Sequence, residues 1–161
     1  MGCGVGILLN RLKTEKQCDV FGVDISPKAI EIALQSGISG KVCKLPQLPL
    51  ESESFDVVIA TEVIEHLDNP KITIRQMCRV LRPGGMLILS TPNDYIPPGD
   101  CDEHLHSFNE ISLTELVSEF LDGVRIKILE SREPFLVLWG QKQVLNHDPN
   151  FSSQRFIPST I

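Results

Sequence analysis

The run Phe55-Asp56-Val57-Val58-Ile59-Ala60-Thr61 constrains this chain more than any other stretch. It is nearly continuous in apolar, β-branched residues, the pattern of a strand covered on both faces. Such strands occur in parallel sheets flanked by helices. The rest of the sequence supplies those helices. Ser26-Pro27 and Asn69-Pro70 each put a capping side chain ahead of a first-turn proline, which starts a helix. Ala29, Ile30, Ala33 and Leu34 follow the first start at helical spacing, and Gly37 is its expected stop. Ile72, Met77, Val80 and Leu81 follow the second. A helix is also expected over 5–13, and strands over 19–24, 41–45 and 86–91. Arg82-Pro83-Gly84-Gly85 reads as a turn. Ser112-Leu113-Thr114-Glu115 fits a capping box, so a helix is expected from there to about Leu121. Strands at 124–129 and 135–140 are close enough to pair antiparallel. Strands separated by helices predict an α/β fold, a Rossmann-like, doubly wound and mostly parallel sheet that ends in an antiparallel pair.

Length and charge narrow the function. The 161 residues suit one domain, expected over 1–143 with a polar tail over 144–161. A net charge of −6 makes general coating of nucleic acid unfavourable. No apolar run approaches the ~20 residues of a membrane-spanning helix, and no secretory leader is visible. The five cysteines form no Cys-x-x-Cys pair. This argues against a zinc ribbon or disulfide framework and for a reducing cytoplasm.

In an open α/β sheet, ligands bind beyond the carboxyl ends of the strands. Three segments fall there. Gly2-Cys3-Gly4-Val5-Gly6 opens a helix, where glycines permit close backbone approach and free N–H groups face an anion. Asp24 ends the next strand, placed to accept hydrogen bonds from two ribose hydroxyls. Thr61-Glu62-Val63-Ile64-Glu65-His66 follows the strand at 55–61. Glycine loop and Asp24 together favour an adenosine-type ligand. The dinucleotide spacing G-x-G-x-x-G is not matched, which weakens a nicotinamide dehydrogenase reading.

Five segments in order, Gly2–Gly6, Gly22-Val23-Asp24-Ile25-Ser26, Ser54-Phe55-Asp56-Val57-Val58, Glu62-Val63-Ile64-Glu65-His66-Leu67 and Leu81-Arg82-Pro83-Gly84-Gly85, resemble the class I S-adenosylmethionine-dependent methyltransferases, in particular those acting on small molecules. The resemblance spans roughly 2–140. It implies S-adenosylmethionine as cofactor, with Gly2, Cys3, Gly4, Gly6, Asp24, Ile25, Leu45, Thr61 and Glu62 as contacts. The family's strand ahead of the glycine loop, central in its sheet, has no counterpart here. The expectation is a truncated or misassigned start, with a longer protein as the active form. The family's acidic acceptor for the adenine amino group falls near Lys44, which cannot accept that bond; the Leu45 backbone and side chain are the expected substitutes.

Methyl transfer needs an oriented nucleophile and, for a neutral one, a proton acceptor. The candidates are His66, His106 and Glu62, with His104 beside them. No metal is assigned. The alternative is a cation site in which Glu62, Glu65 and His66, spaced as on one helical face, join His104 or His106; that set resembles the metal motif of RNA 3′-terminal ribose methyltransferases. The expected partner is a small-molecule methyl acceptor, with no membrane and with nucleic acid disfavoured, while homo-oligomerisation stays open. A non-catalytic, degenerate Rossmann-like module that binds a nucleoside or a partner is the main rival.

Overall fold

Backbone pairing divides the strands into two sheets. The computed structural model describes residues 1–93, 104–130 and 134–144. In it β1 (Phe21–Asp24) runs parallel to β2 (Ser39–Val42). The larger sheet has the order β3-β4-β6-β5, formed by β3 (Phe55–Thr61), β4 (Leu81–Pro92), β5 (Leu121–Leu129) and β6 (Phe135–Lys142). β3 and β4 are parallel, and β6 is antiparallel to both of its neighbours. The helices are α1 (Ile7–Lys16), α2 (Pro27–Gln35), α3 (Pro70–Val80) and α4 (Glu110–Ser118). This is the expected Rossmann-like α/β architecture with its closing antiparallel pair.

The capping logic holds where proline follows a short polar residue. Ser26 Oγ accepts from the Ala29 amide at 3.2 Å, and Asn69 Oδ1 from the Ile72 amide at 3.1 Å. α3 then buries Ile74, Met77, Cys78 and Val80. They join Leu87 and Leu89 of β4 and Leu136 and Leu138 of β6 in one core with Leu113 and Val117 of α4. From Leu87 onward in β4, and along β6, every second residue is buried, as the period of a strand requires.

Most elements differ from the expected bounds by a few residues, with β4 running over Leu81–Pro92, α4 ending at Ser118 and β5 beginning at Leu121; three differences have a visible cause. α4 starts at Glu110 because Asn109, not Ser112, is its cap. Asn109 Oδ1 accepts from the Ser112 amide at 2.9 Å, and Ser112 Oγ accepts from the Asn109 amide at 3.0 Å. β2 lies two residues early, since its register is set by β1, with Phe21 opposite Ser39 and Asp24 opposite Val42. The turn expected at Arg82-Pro83-Gly84-Gly85 lies within β4 as an irregularity, the ladder stepping from Phe55–Leu81 to Val57–Met86. The expected tail beyond 144, and Cys101, lie outside the described residues.

Between the two sheets lies a cavity of about 270 Å³. Val20, Phe21 and Val23 line one side, Val57, Val58 and Ile59 the other, and Leu9 and Leu12 of α1 also reach it. β1 pairs with β2 and β3 with β4, so each carries a second edge toward this gap. At its end the first residues of the chain bridge the sheets. The Met1 ammonium donates to the Ile59 carbonyl at 2.6 Å, and the Cys3 amide to the Val23 carbonyl at 3.0 Å. Burial pushes the Met1 ammonium below its ordinary pKa, opposed by Cys3 and Asp24. α1 buries none of its residues, and its Leu9 and Leu12 face the gap.

Candidate active site

The glycine loop and the end of β1 are tied together by one carboxylate. Asp24 Oδ2 accepts from the Gly4 amide at 2.7 Å, and Oδ1 from the Ser26 amide at 2.9 Å. A carboxylate has about four lone-pair positions, so each oxygen keeps capacity for a further donor. The same residue thus fixes the loop and presents acceptors. Gly2 and Gly6 hold the loop's shape at φ +61° and +85°, in the region that disfavours side chains. A Cβ at Gly2 would lie 2.5 Å from Val63 Cγ2, so the loop passes the 62–68 segment as bare backbone.

Beside this junction is a cavity of about 480 Å³, reached by Gly2, Asp24, Ile25, Leu45, Glu62 and His66. Its volume is within the range of small-molecule sites, ~300–1,000 Å³. Of the expected cofactor contacts, Cys3, Gly4, Gly6 and Thr61 are not in this lining. Cys3 and Gly4 use their amides on Val23 and Asp24. Gly6 is the buried N-cap of α1. Thr61 is exposed and pairs with Ser90 at the end of β3. Val63, Leu67 and Asp68 line the cavity as part of the segment that follows β3, expected at the pocket, and Cys43 lines it without having been expected there. Only the position after a strand end could have suggested Cys43. Lys44 lines the cavity too, so a cation stands where the family places an acceptor.

The catalytic candidates separate. Glu62 and His66 reach the cavity; His106 does not. His106 Nε2 sits 2.8 Å from the Leu67 carbonyl and braces the loop. The segment 62–66 is not one helical face. Glu62 stands at φ +53°, and a 3₁₀ turn covers just Ile64–His66. Glu62 therefore swings to Ser90, whose Oγ donates to Oε1 at 2.8 Å. Burial raises the Glu62 carboxyl above its ordinary pKa and the charge of Glu65 adds to this, while the Ser90 hydroxyl and His104 oppose it. Glu65 points inward, 1% exposed, and Oε2 accepts from Thr91 Oγ1 at 3.1 Å.

Residues 1–89 match the family described as a methyltransferase domain. The ubiquinone biosynthesis O-methyltransferase of Bordetella avium is 32% identical over 100 residues, 58% of this chain and 41% of that protein. A human protein named probable tRNA methyltransferase 9B is 37% identical over 92 residues, 55% of this chain and 20% of that one. The chain thus spans less than half the length of these relatives. Among solved structures, a SAM-dependent methyltransferase of Thermotoga maritima superposes with a TM-score of 0.75 at 23% identity, covering 89% of this chain and 80% of that one. That likeness shows the fold. The matched residues include the glycine loop, Asp24 and the 62–68 segment that together build the cavity, and on this ground the chain belongs to the class I S-adenosylmethionine-dependent methyltransferases.

Proposed function

We propose that this chain transfers a methyl group from S-adenosylmethionine to an oxygen, nitrogen or carbon atom of a small molecule. The observation that carries the reading is the double tie of Asp24, which holds the glycine loop against β1 while the residue lines a cavity of adequate size. The residues fit the cofactor. Asp24 would hold the ribose hydroxyls, the Gly2 backbone would pass the aminoacyl portion, and Ile25 and Leu45 would cover the base. Lys44 cannot accept from an adenine amino group, so that contact falls to backbone carbonyl near Leu45. S-adenosylmethionine supplies an already activated methyl group. What the protein adds is orientation, which can remove ~7–11 kcal/mol of barrier, and a proton acceptor for a neutral nucleophile. Glu62 and His66 are the candidates, both at the cavity.

A small acceptor suits the acidic chain better than a polyanion does, although a relative's name includes tRNA. Among the described residues no helix is long and apolar enough to cross a membrane. Free thiols at Cys3, Cys18, Cys43 and Cys78 support a reducing, cytoplasmic setting.

Calorimetric titration with S-adenosylhomocysteine tests the reading. Micromolar binding is expected, weakened at least tenfold in Asp24→Ala, which loses a charge-assisted pair of bonds. Failure of the wild-type protein to bind, or equal binding by Asp24→Ala, would favour the non-catalytic module instead.

A further inference from the structure

We propose that Arg79 is a positioning residue for the base end of the cavity beside Asp24, acting through the loop that joins β2 to β3. Arg79 stands in the last turn of α3 and lines neither that cavity nor the gap between the sheets. Its guanidinium is spread along the loop instead. Nη2 donates to the Leu48 carbonyl at 2.8 Å, and Nη1 donates to the Leu50 carbonyl at 2.9 Å and to Ser52 Oγ at 3.1 Å. Nε donates to Gln76 Oε1 at 2.8 Å, which fixes the plane of the group from within the helix. The loop also ties back to the helix end. The Glu53 amide donates to the Arg79 carbonyl at 3.0 Å, and the Ser54 amide to the Val80 carbonyl at 2.9 Å.

The loop needs such a clamp. Between Val42 and Phe55 it forms no helix or strand of its own, so its carbonyls must find donors elsewhere. A guanidinium offers several N–H groups in one rigid plane, and its bonds are charge-assisted. A lysine ammonium has no such fork and would not span the same acceptors. What Arg79 fixes is passed to the cavity wall by two bonds. Cys43 Sγ donates to the Gln47 carbonyl at 2.8 Å, and the Gln47 amide donates to the Lys44 carbonyl at 3.1 Å. These close 43–47 into one turn, next to the clamped Leu48. At its other end the turn is held by the Cys43 amide, which donates to the Asp24 carbonyl at 2.8 Å. Cys43, Lys44 and Leu45 line the cavity. That wall is therefore anchored twice, through β1 on one side and through Arg79 on the other.

The consequence is selective. On the cofactor reading, on which this step rests, Leu45 covers the base and Asp24 holds the sugar. The Asp24 carboxylate is fixed by the Gly4 and Ser26 amides, and Arg79 makes no bond to that half of the site. Loosening the clamp should cost the contacts to the base and spare those to the sugar and the aminoacyl portion. A residue that served stability alone would weaken both halves together.

The test compares two ligands on the full chain by calorimetry. One is S-adenosylhomocysteine. The other is S-ribosylhomocysteine, which keeps the sugar and the aminoacyl portion but lacks the base, measured by competition where its own heat is small. Arg79→Gln should lose at least about fivefold in affinity for the first and less than about twofold for the second. Arg79→Lys should fall between Arg79→Gln and the wild type. Arg75→Gln, exposed one turn earlier on the same helix, should match the wild type. Hydrogen exchange without ligand reads the mechanical link: the Gln47 amide should exchange faster in Arg79→Gln, while the Gly4 amide, held by Asp24, should not. Ser52→Ala and Gln76→Ala each remove one bond of the clamp. They should shift the ligand ratio the same way by a smaller factor, and they decide the matter if Arg79→Gln does not fold. Equal weakening for both ligands, unchanged S-adenosylhomocysteine affinity in the folded variants, or unchanged exchange at Gln47 would overturn the proposal. If the wild-type protein binds neither ligand, the cofactor reading itself fails and takes this proposal with it.

Discussion

At the scale of single residues, the same side chain type does different work by depth. Cys18 is exposed, whereas Cys43 and Cys78 are buried. Burial pushes the Cys78 thiol from its ordinary 9.0 up to about 11, and that of Cys43 upward as well. Since the thiolate is the nucleophile, a rise of two units cuts its population about a hundredfold at pH 8 before access is considered. Alkylation by iodoacetamide, mapped by mass spectrometry, should therefore modify Cys18 promptly in the native protein. Cys78 should react only after denaturant is added. Prompt native labelling of Cys78 would mean that α3 does not cover it. Asp24 marks the opposite case, a residue legible in advance. An acidic residue ending the strand after a glycine loop has a short menu of roles, and the structure gives it the loop amides on one side and a cavity on the other. Glu65 was legible as a residue type but not as a buried one. Its inward turn depends on Thr91, 26 residues away, and sequence spacing carries no such distance.

Secondary-structure elements were readable where a local signal and the tertiary structure agree. α2 and α3 begin at the polar residue before a proline, because capping and ring constraint act within a few bonds. α4 was readable as a helix but not at its start, since two polar residues three apart, Asn109 and Ser112, can each cap and in fact cap one another. The Asn109 pairing makes a prediction of its own. Asn109→Ala should destabilise the protein by about 1 kcal/mol, read in chemical denaturation, whereas Glu115→Ala on the exposed helix face should change little. A larger loss for Glu115→Ala would restore the later start, in which Glu115 completes a box with Ser112. β2 was misplaced for the reverse reason. Hydropathy favours Cys43 and Leu45, but pairing with the four residues of β1 selects Ser39–Val42. The 62–66 segment shows the same override. Its spacing looks helical, and yet Glu62 at positive φ ends any helix before it begins.

For the molecule as a whole, the separation of the two sheets decides where stability lies. β4, β6 and the helices over them form most of the core; Val23 of β1 joins it, while the 270 Å³ gap parts the rest of β1 and α1 from β3 and is bridged by Met1 and Cys3. Few buried contacts mean low opening energy, so amides of β1 and β2 should exchange faster than those of β4 and β6. The gap is bounded by two strand edges and apolar side chains, the geometry that accepts an added strand. At a strand spacing of ~4.8 Å per neighbour, we expect one extended segment to fit between β1 and β3, entering just ahead of the backbone rungs that Met1 and Cys3 already make. Fusing about six residues of alternating Val and Thr ahead of Met1 should fill it. The added backbone would pair with both edges, and its side chains would cover Leu9 and Leu12 of α1. In a chain this long each kcal/mol gained moves the midpoint about 2–4 °C. The expected result is thus a rise of several degrees, together with slower exchange at Val23 and Val57. An extension of the same length in Gly and Ser would contribute little packing and should raise neither. If both extensions behave alike, the gap is not a strand site, and the low burial of α1 needs another cause.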